Sequence, residues 1–226
     1  MSDTAAERRD ELVALYREAR ACTLCPLHQS RTQVVFGNGH ADADLMFVGE
    51  APGANEDAEG LPFVGRAGQL LDEMLRENEM TRADVFVTNV LKSRPPGNRD
   101  PEPGEIEACR PYLQRQVELI APRVICTLGN FATKLLSGSS QGITRVHGVP
   151  QRRELGGREV TLYPLFHPAA ALRTPRVKEQ LSEDFARLPA LLAAGAGVAA
   201  GPPAAETDAS QEVPQPAAEQ MGLFGG

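Results

Sequence analysis

Four short apolar runs constrain this chain most: Leu45-Met46-Phe47-Val48, Val85-Phe86-Val87-Thr88, Val124-Ile125-Cys126-Thr127-Leu128 and Val160-Thr161-Leu162-Tyr163. Each is too short for a helix and apolar enough to read as a buried strand. Helical patterns separate them, carried first by Leu70, Leu71, Met74 and Leu75, then by Ile106, Leu113, Val117 and Ile120, then by Phe131 to Leu136. A last helix with Val177, Leu181, Phe185 and Leu188 follows the fourth run. Strand and helix in alternation predict an α/β fold, a three-layer α/β/α arrangement around a central four-stranded, mainly parallel sheet. In such sheets ligands bind beyond the carboxyl ends of the strands, and that is where the unusual residues of this chain fall.

Ahead of the first run, residues 4–21 read as an amphipathic helix, capped at Thr4 and carrying Leu12, Leu15, Tyr16 and Ala19 on one stripe. With 226 residues, 42% of them hydrophobic, the chain can bury one sizeable core. Residues 1–194 are expected to form one domain. From 195 to 218 the composition becomes Ala, Gly and Pro with a few acids, too poor in large apolar side chains to fold, and reads as a disordered linker to residues 219–226. No stretch reaches the roughly 18 uninterrupted apolar residues of a membrane span, and the polar start Met1-Ser2-Asp3-Thr4 is unlike a signal peptide, so a cytoplasmic protein is expected; it is also expected to be a monomer.

A net charge of −7 speaks against a basic nucleic-acid-binding surface, but the charge is unevenly spread. Residues 201–226 hold four acids and no base, whereas the span from Arg94 to Lys178 holds 13 Lys/Arg against 7 Asp/Glu. A basic face on an acidic protein is compatible with that distribution, as are scattered solvated arginines.

The first run leads into Gly49-Glu50-Ala51-Pro52-Gly53 and, after Glu56, Gly60-Leu61-Pro62-Phe63-Val64-Gly65. Glycine and proline there make a tight loop whose backbone can approach a ligand, with carboxylates and a ring carried on it. Phosphate binding, a plain turn or a catalytic loop would all look this way. The second run ends at Asn89, whose amide offers an acceptor and donors suited to a base edge, though strand-end asparagines also cap turns. After the fourth run comes Phe166-His167-Pro168-Ala169. A histidine before proline is held extended and can donate a hydrogen bond to a developing oxyanion.

Four cysteines complete the inventory: Cys22-x2-Cys25, Cys109 and Cys126. In a reducing compartment two structural disulfides are disfavoured. The spacing is compatible with zinc, with an iron–sulfur cluster or, for Cys126 in a strand, with simple burial.

In order and in detail, Gly49-Glu50-Ala51-Pro52-Gly53, Gly60-Leu61-Pro62-Phe63-Val64-Gly65, Thr88-Asn89, Arg94-Pro95-Pro96-Gly97-Asn98-Arg99 and His167-Pro168-Ala169 resemble the family 4 uracil-DNA glycosylases of the wider uracil-glycosylase superfamily. The resemblance runs from about Ala21 to Leu188. It implies an enzyme that flips uracil out of DNA and hydrolyses its N-glycosidic bond to start base excision repair. Phe63 would stack on the uracil, Asn89 would read its polar edge, Glu56 would stand where the thymine methyl group must be refused, and His167 would stabilise charge on the uracil oxygen. Ala51 would line the same pocket and departs from the superfamily's most active branch, which carries a water-activating aspartate there, so Glu50 beside it is left to position water or the loop. Leu172 and Arg173 would enter the gap left by the extruded base. The segment Lys92-Ser93-Arg94-Pro95-Pro96-Gly97-Asn98 lacks the histidine insertion of a sister branch that captures uracil-DNA covalently, which implies turnover. The resemblance also implies a [4Fe–4S] cluster on Cys22, Cys25, Cys109 and Cys126.

The end of the chain, Gln220-Met221-Gly222-Leu223-Phe224, resembles the short peptides that dock bacterial repair proteins on the sliding clamp. A linker of about 25 residues would give it a reach of roughly 25–30 Å as a random coil. Binding of Gln220, Met221, Leu223 and Phe224 to a clamp, and association with the nucleoid through DNA, are expectations of the same kind.

Overall fold

The computed structural model describes residues 5–194; the linker and terminal peptide read from the sequence lie outside them. The apolar runs become β2 (Leu45–Gly49), β3 (Val85–Asn89), β4 (Val124–Leu128) and β6 (Arg158–Leu165), which pair in parallel. Every residue of β2, β3 and β4 is buried, as strands covered on both faces must be. Two antiparallel edge strands extend the sheet, β1 (Asn38–Gly39) beside β3 and β5 (Gln151–Leu155) beside β6, giving the order β1-β3-β2-β4-β6-β5.

Helices cover both faces. On one face lie α1 (Ala5–Ala21), α4 (Pro103–Ile120) and α5 (Asn130–Ser137), packed over Met46, Val48, Ile125 and Leu162. On the other lie α3 (Arg66–Glu77), α8 (Pro175–Phe185) and α9 (Leu188–Ala193), packed over Leu45, Phe47, Cys126 and Tyr163. Three short helices, α2 (Ala54–Glu59), α6 (Ile143–Val146) and α7 (Pro168–Ala171), belong to the connections. The alternation along β4 is strict: Val124, Cys126 and Leu128 face the second layer, and Ile125 faces the first. No helix among the described residues is long and apolar enough to cross a membrane.

Candidate active site

The loops after β2, β3 and β6 meet at the carboxyl edge of the sheet around a cleft of about 550 Å³. Glu50, Ala51, Glu56, Phe63, Asn89, His167 and Arg173 all line it. An adjoining hollow shares Glu50 and His167 and adds Asp100, Asn130 and Lys134.

Phe63 is built into this cleft under strain. Its φ is +55°, a left-handed conformation that costs a non-glycine residue about 1–3 kcal/mol and persists only where neighbours fix it. Glu56, in the first turn of α2, supplies one clamp: its carboxylate accepts hydrogen bonds from the backbone N–H groups of Gly53 (3.1 Å), Val64 (3.0 Å) and Gly65 (3.1 Å). Arg82 supplies the other, donating to the carbonyls of Phe63 (2.9 Å) and Pro62 (3.3 Å) while Asp72 holds it at 2.5 Å. Beneath the loop, a Cβ at Gly68 would collide with the Phe63 carbonyl, so only glycine lets α3 approach this closely.

Asn89 ends β3 with its side chain 2% exposed and forms no side-chain hydrogen bond with any described residue. A nearly buried amide left unpaired beside a cleft is a group prepared for a ligand. Gly49 shows how close the parts are: a Cβ there would collide with Asn89 Oδ1 and sit 2.7 Å from Phe63 Cζ. Under Asn89, the fully buried Lys92 donates to the Asn89 carbonyl (2.7 Å), to Thr88 Oγ1 (2.8 Å) and to Gln116 Oε1 (2.7 Å). Burial lowers the Lys92 pKa to about 7, with the charge of Cys109 acting in the opposite direction.

His167 occupies the N-cap of α7 with extended backbone (φ −69°, ψ 133°), as the following proline requires. Its Nδ1 accepts the Ala169 N–H at 3.1 Å, which places the ring proton on Nε2. Burial holds its pKa down to about 4, against the opposing charge of Glu56, so the ring is neutral at neutral pH. The Phe63 and His167 rings stack with centroids 5.7 Å apart. Glu50 has its carboxyl pKa raised, first by burial and then by Asp100.

Leu172, 39% exposed, and Arg173 follow α7; Arg173 lines the cleft and Leu172 does not. Within the span from Arg94 to Lys178, ion pairs join Arg99 to Glu105, Arg110 to Glu107, Arg115 to Glu118 and Arg152 to Glu159, which leaves its excess of bases over acids as the sequence shows it. Arg173 carries no ion pair among the described residues.

The cysteines divide, and the expectation of a four-cysteine site is corrected. Cys22 ends the turn after α1, Cys25 precedes a short 3₁₀ helix (Pro26–Gln29), and Cys109 lies on α4; the charges of these three thiols act on one another. Cys126 lies on the opposite face of the sheet, fully buried with Phe47, Tyr163 and Phe185, and its neighbouring charge is Asp184. The strand's alternation turns it away from α4, and a thiol enclosed in that second layer cannot share a centre with the other three. One side of the sheet therefore carries three of the four thiols. No group of three or more His, Cys, Asp or Glu among the described residues is gathered as for a single ion.

Sequence reasoning passed over Arg82 and gave Lys92 no role, because neither touches the cleft and both act through the backbone of residues that do. The comparisons with known proteins identify a family. The family model of the uracil DNA glycosylase superfamily matches residues 36–188. A type-4 uracil-DNA glycosylase of Sulfurisphaera tokodaii is 46% identical over 79% of this chain and 84% of its own. One of Thermotoga maritima is 48% identical over 73% and 85%, and one of Archaeoglobus fulgidus is 45% identical over 80% and 92%. Matched along most of its length in this way, the chain belongs to the uracil-DNA glycosylase superfamily and, within it, to the type-4 branch.

Proposed function

We propose that the chain excises uracil from DNA by hydrolysis of the N-glycosidic bond, and that the convergence of the Asn89 amide, the Phe63 ring and the His167 Nε2–H on one cleft performs it. An extruded uracil stacks on Phe63 and pairs its imide edge with the unpartnered Asn89 amide; cytosine presents a donor and an acceptor in the wrong places. Glu56, immobilised by three N–H groups, forms a wall that has no room for a 5-methyl group. As the bond from the sugar C1′ to uracil N1 lengthens, its electron pair passes to the base. The neutral His167 donates its Nε2–H to the uracil oxygen on which that charge gathers. Water adds to the electron-poor C1′ and gives up a proton, for which Glu50, with its raised proton affinity, is the acceptor. The products are free uracil and an abasic site. Leu172 and Arg173 enter the duplex where the base has left.

An iron–sulfur cluster is the cofactor this reading assigns to Cys22, Cys25 and Cys109. What supports this reading is that the charges of the three thiols act on one another, as those of groups sharing one neighbourhood do. Such a centre would tie α1 to α4 and contribute to folding. The peptide Gln220-Met221-Gly222-Leu223-Phe224 would deliver the enzyme to a sliding clamp; a peptide of residues 217–226 should bind it, and alanine at Leu223 and Phe224 should abolish binding.

The test is a labelled oligonucleotide with one uracil, incubated with the iron-replete protein and then treated with alkali. Strand scission at the uracil, and none at cytosine or thymine, is expected; an intact strand refutes the activity.

A further inference from the structure

Cys126 is separated from the other thiols by the sheet itself, which leaves a cubane with one corner to fill. The segment after β3 runs past Cys109: the backbone N–H of Lys92 donates to Cys109 Sγ at 3.4 Å. The next residue, Ser93, is 3% exposed. Its Oγ accepts from Arg31 Nη1 at 3.3 Å, and Nη2 of the same guanidinium donates to the carbonyls of Cys22 (2.8 Å) and Arg20 (3.1 Å). One arginine thus links the Ser93 hydroxyl to the Cys22 peptide, while the residue before Ser93 touches Cys109. A buried serine oxygen between two thiol-bearing segments, with a fixed cation beside it to favour its deprotonated form, has the properties of an anionic ligand. Of the other nearby groups, Tyr112 stands beside Cys22, and His28 Nδ1 lies 2.7 Å from the Cys25 carbonyl.

We propose that this chain holds its cluster with three thiolates, Cys22, Cys25 and Cys109, and with the Ser93 hydroxyl oxygen at the fourth corner, Cys126 taking no part. The Ser93 O–H proton is released to solvent when the oxygen binds iron, as each thiol proton is, and no redox step is involved. The proposal rests on the cluster reading above. An oxygen ligand makes one iron chemically distinct from the other three, and that distinction can be read without any activity measurement.

The full-length protein, enriched in ⁵⁷Fe and purified without oxygen, is compared with Cys126→Ala, Ser93→Cys and Ser93→Ala by iron and sulfide analysis and Mössbauer spectroscopy. Cys126→Ala is expected to keep the parent's iron, sulfide and brown colour. The parent should show one iron site distinct from the rest, and Ser93→Cys should keep the cluster while removing that distinction. Ser93→Ala should lose the distinct iron on exposure to air and give the EPR signal of a three-iron cluster. A parent without iron, or with zinc, overturns the cluster reading and this proposal with it. An iron-loaded parent whose irons are equivalent and unchanged in Ser93→Cys overturns the proposal alone, as does a folded Cys126→Ala that has lost its iron. If Cys126→Ala does not fold, the comparison of the parent with Ser93→Cys decides.

Discussion

The rings of Phe63 and His167 stack with centroids 5.7 Å apart, joining the loop after β2 to the loop after β6. The proposed base platform and the proposed oxyanion donor therefore hold one another in place. Replacing His167 by alanine removes both the Nε2–H and the ring contact, and removal of one such donor elsewhere costs about 10²–10³ in kcat. Single-turnover rates on uracil-containing DNA should fall at least that far. Ala51→Asp, which adds a carboxylate at the cleft wall, should change the rate far less. Equal losses in the two variants would refute the assignment of His167.

Proton binding by His167 offers a second check. Burial lowers its pKa to about 4 in the fold, whereas an unfolded histidine titrates near 6.5. Between those values the unfolded chain binds a proton that the folded chain does not, so stability is lost as pH falls from about 6.5 towards 4. Side-chain ¹⁵N spectra, assigned with His167→Gln, should show the Nε2–H tautomer unchanged down to pH 5. A midpoint near 6.5 would contradict the structure.

Gly49 is the position at which the smallest change should do the greatest harm to base binding. A methyl group there collides with Asn89 Oδ1 and comes within 2.7 Å of the Phe63 ring. Gly49→Ala should lose uracil excision by about 10²-fold or more, equivalent to ~2.7 kcal/mol, while gel-shift affinity for undamaged duplex stays near the parent's. Parent-like kcat/KM in this variant would show that base binding lies elsewhere.

Glu56 separates wall from clamp. Glu56→Gln keeps the size of the side chain but turns one acceptor into a donor facing N–H groups, at a cost of about 1–3 kcal/mol for each group left unpaired. Reduced uracil activity, a lower urea midpoint and no activity on thymine are expected. Glu56→Ala should weaken uracil excision further and admit thymine at a measurable rate; continued refusal of thymine would place the wall on another residue.

Lys92 lies beneath Asn89, whose amide is the proposed reader of the base. Lys92→Met fills the space but leaves the Asn89 carbonyl and Gln116 Oε1 without its hydrogen bonds, so unfolding should cost at least ~1–3 kcal/mol less. Activity at a temperature where the variant is folded should show a raised KM with a smaller change in kcat. An unchanged urea midpoint would mean that water replaces the ammonium.

The central strands were legible because Leu45–Val48, Val85–Thr88 and Val124–Leu128 are apolar without interruption, which only burial on both faces rewards. The edge strand β5 was not, since Gln151-Arg152-Arg153-Glu154 is polar and its sole local sign is the turn at Gly156 and Gly157, both with positive φ. Phe63, Asn89 and His167 could be found from strand-end loops and motif order. Arg82 could not, because it reaches the Phe63 carbonyl from 19 residues along the chain and only the folded backbone brings them together. Cys126 was misread because counting cysteines says nothing about which way a strand turns them. Its parity with Val124 and Leu128 was visible in the sequence; which layer that parity meets was not.

The left-handed backbone at Phe63 bears on how such an enzyme surveys a genome. Undamaged bases vastly outnumber uracil, and a receptor that had to rearrange for each candidate would dwell at every trial. Here the distortion is installed once, during folding, by Glu56 and Arg82. On the proposed reading, each extruded base meets a finished template and is either held or released quickly, so strain kept permanently in one residue becomes time saved at every step along the duplex.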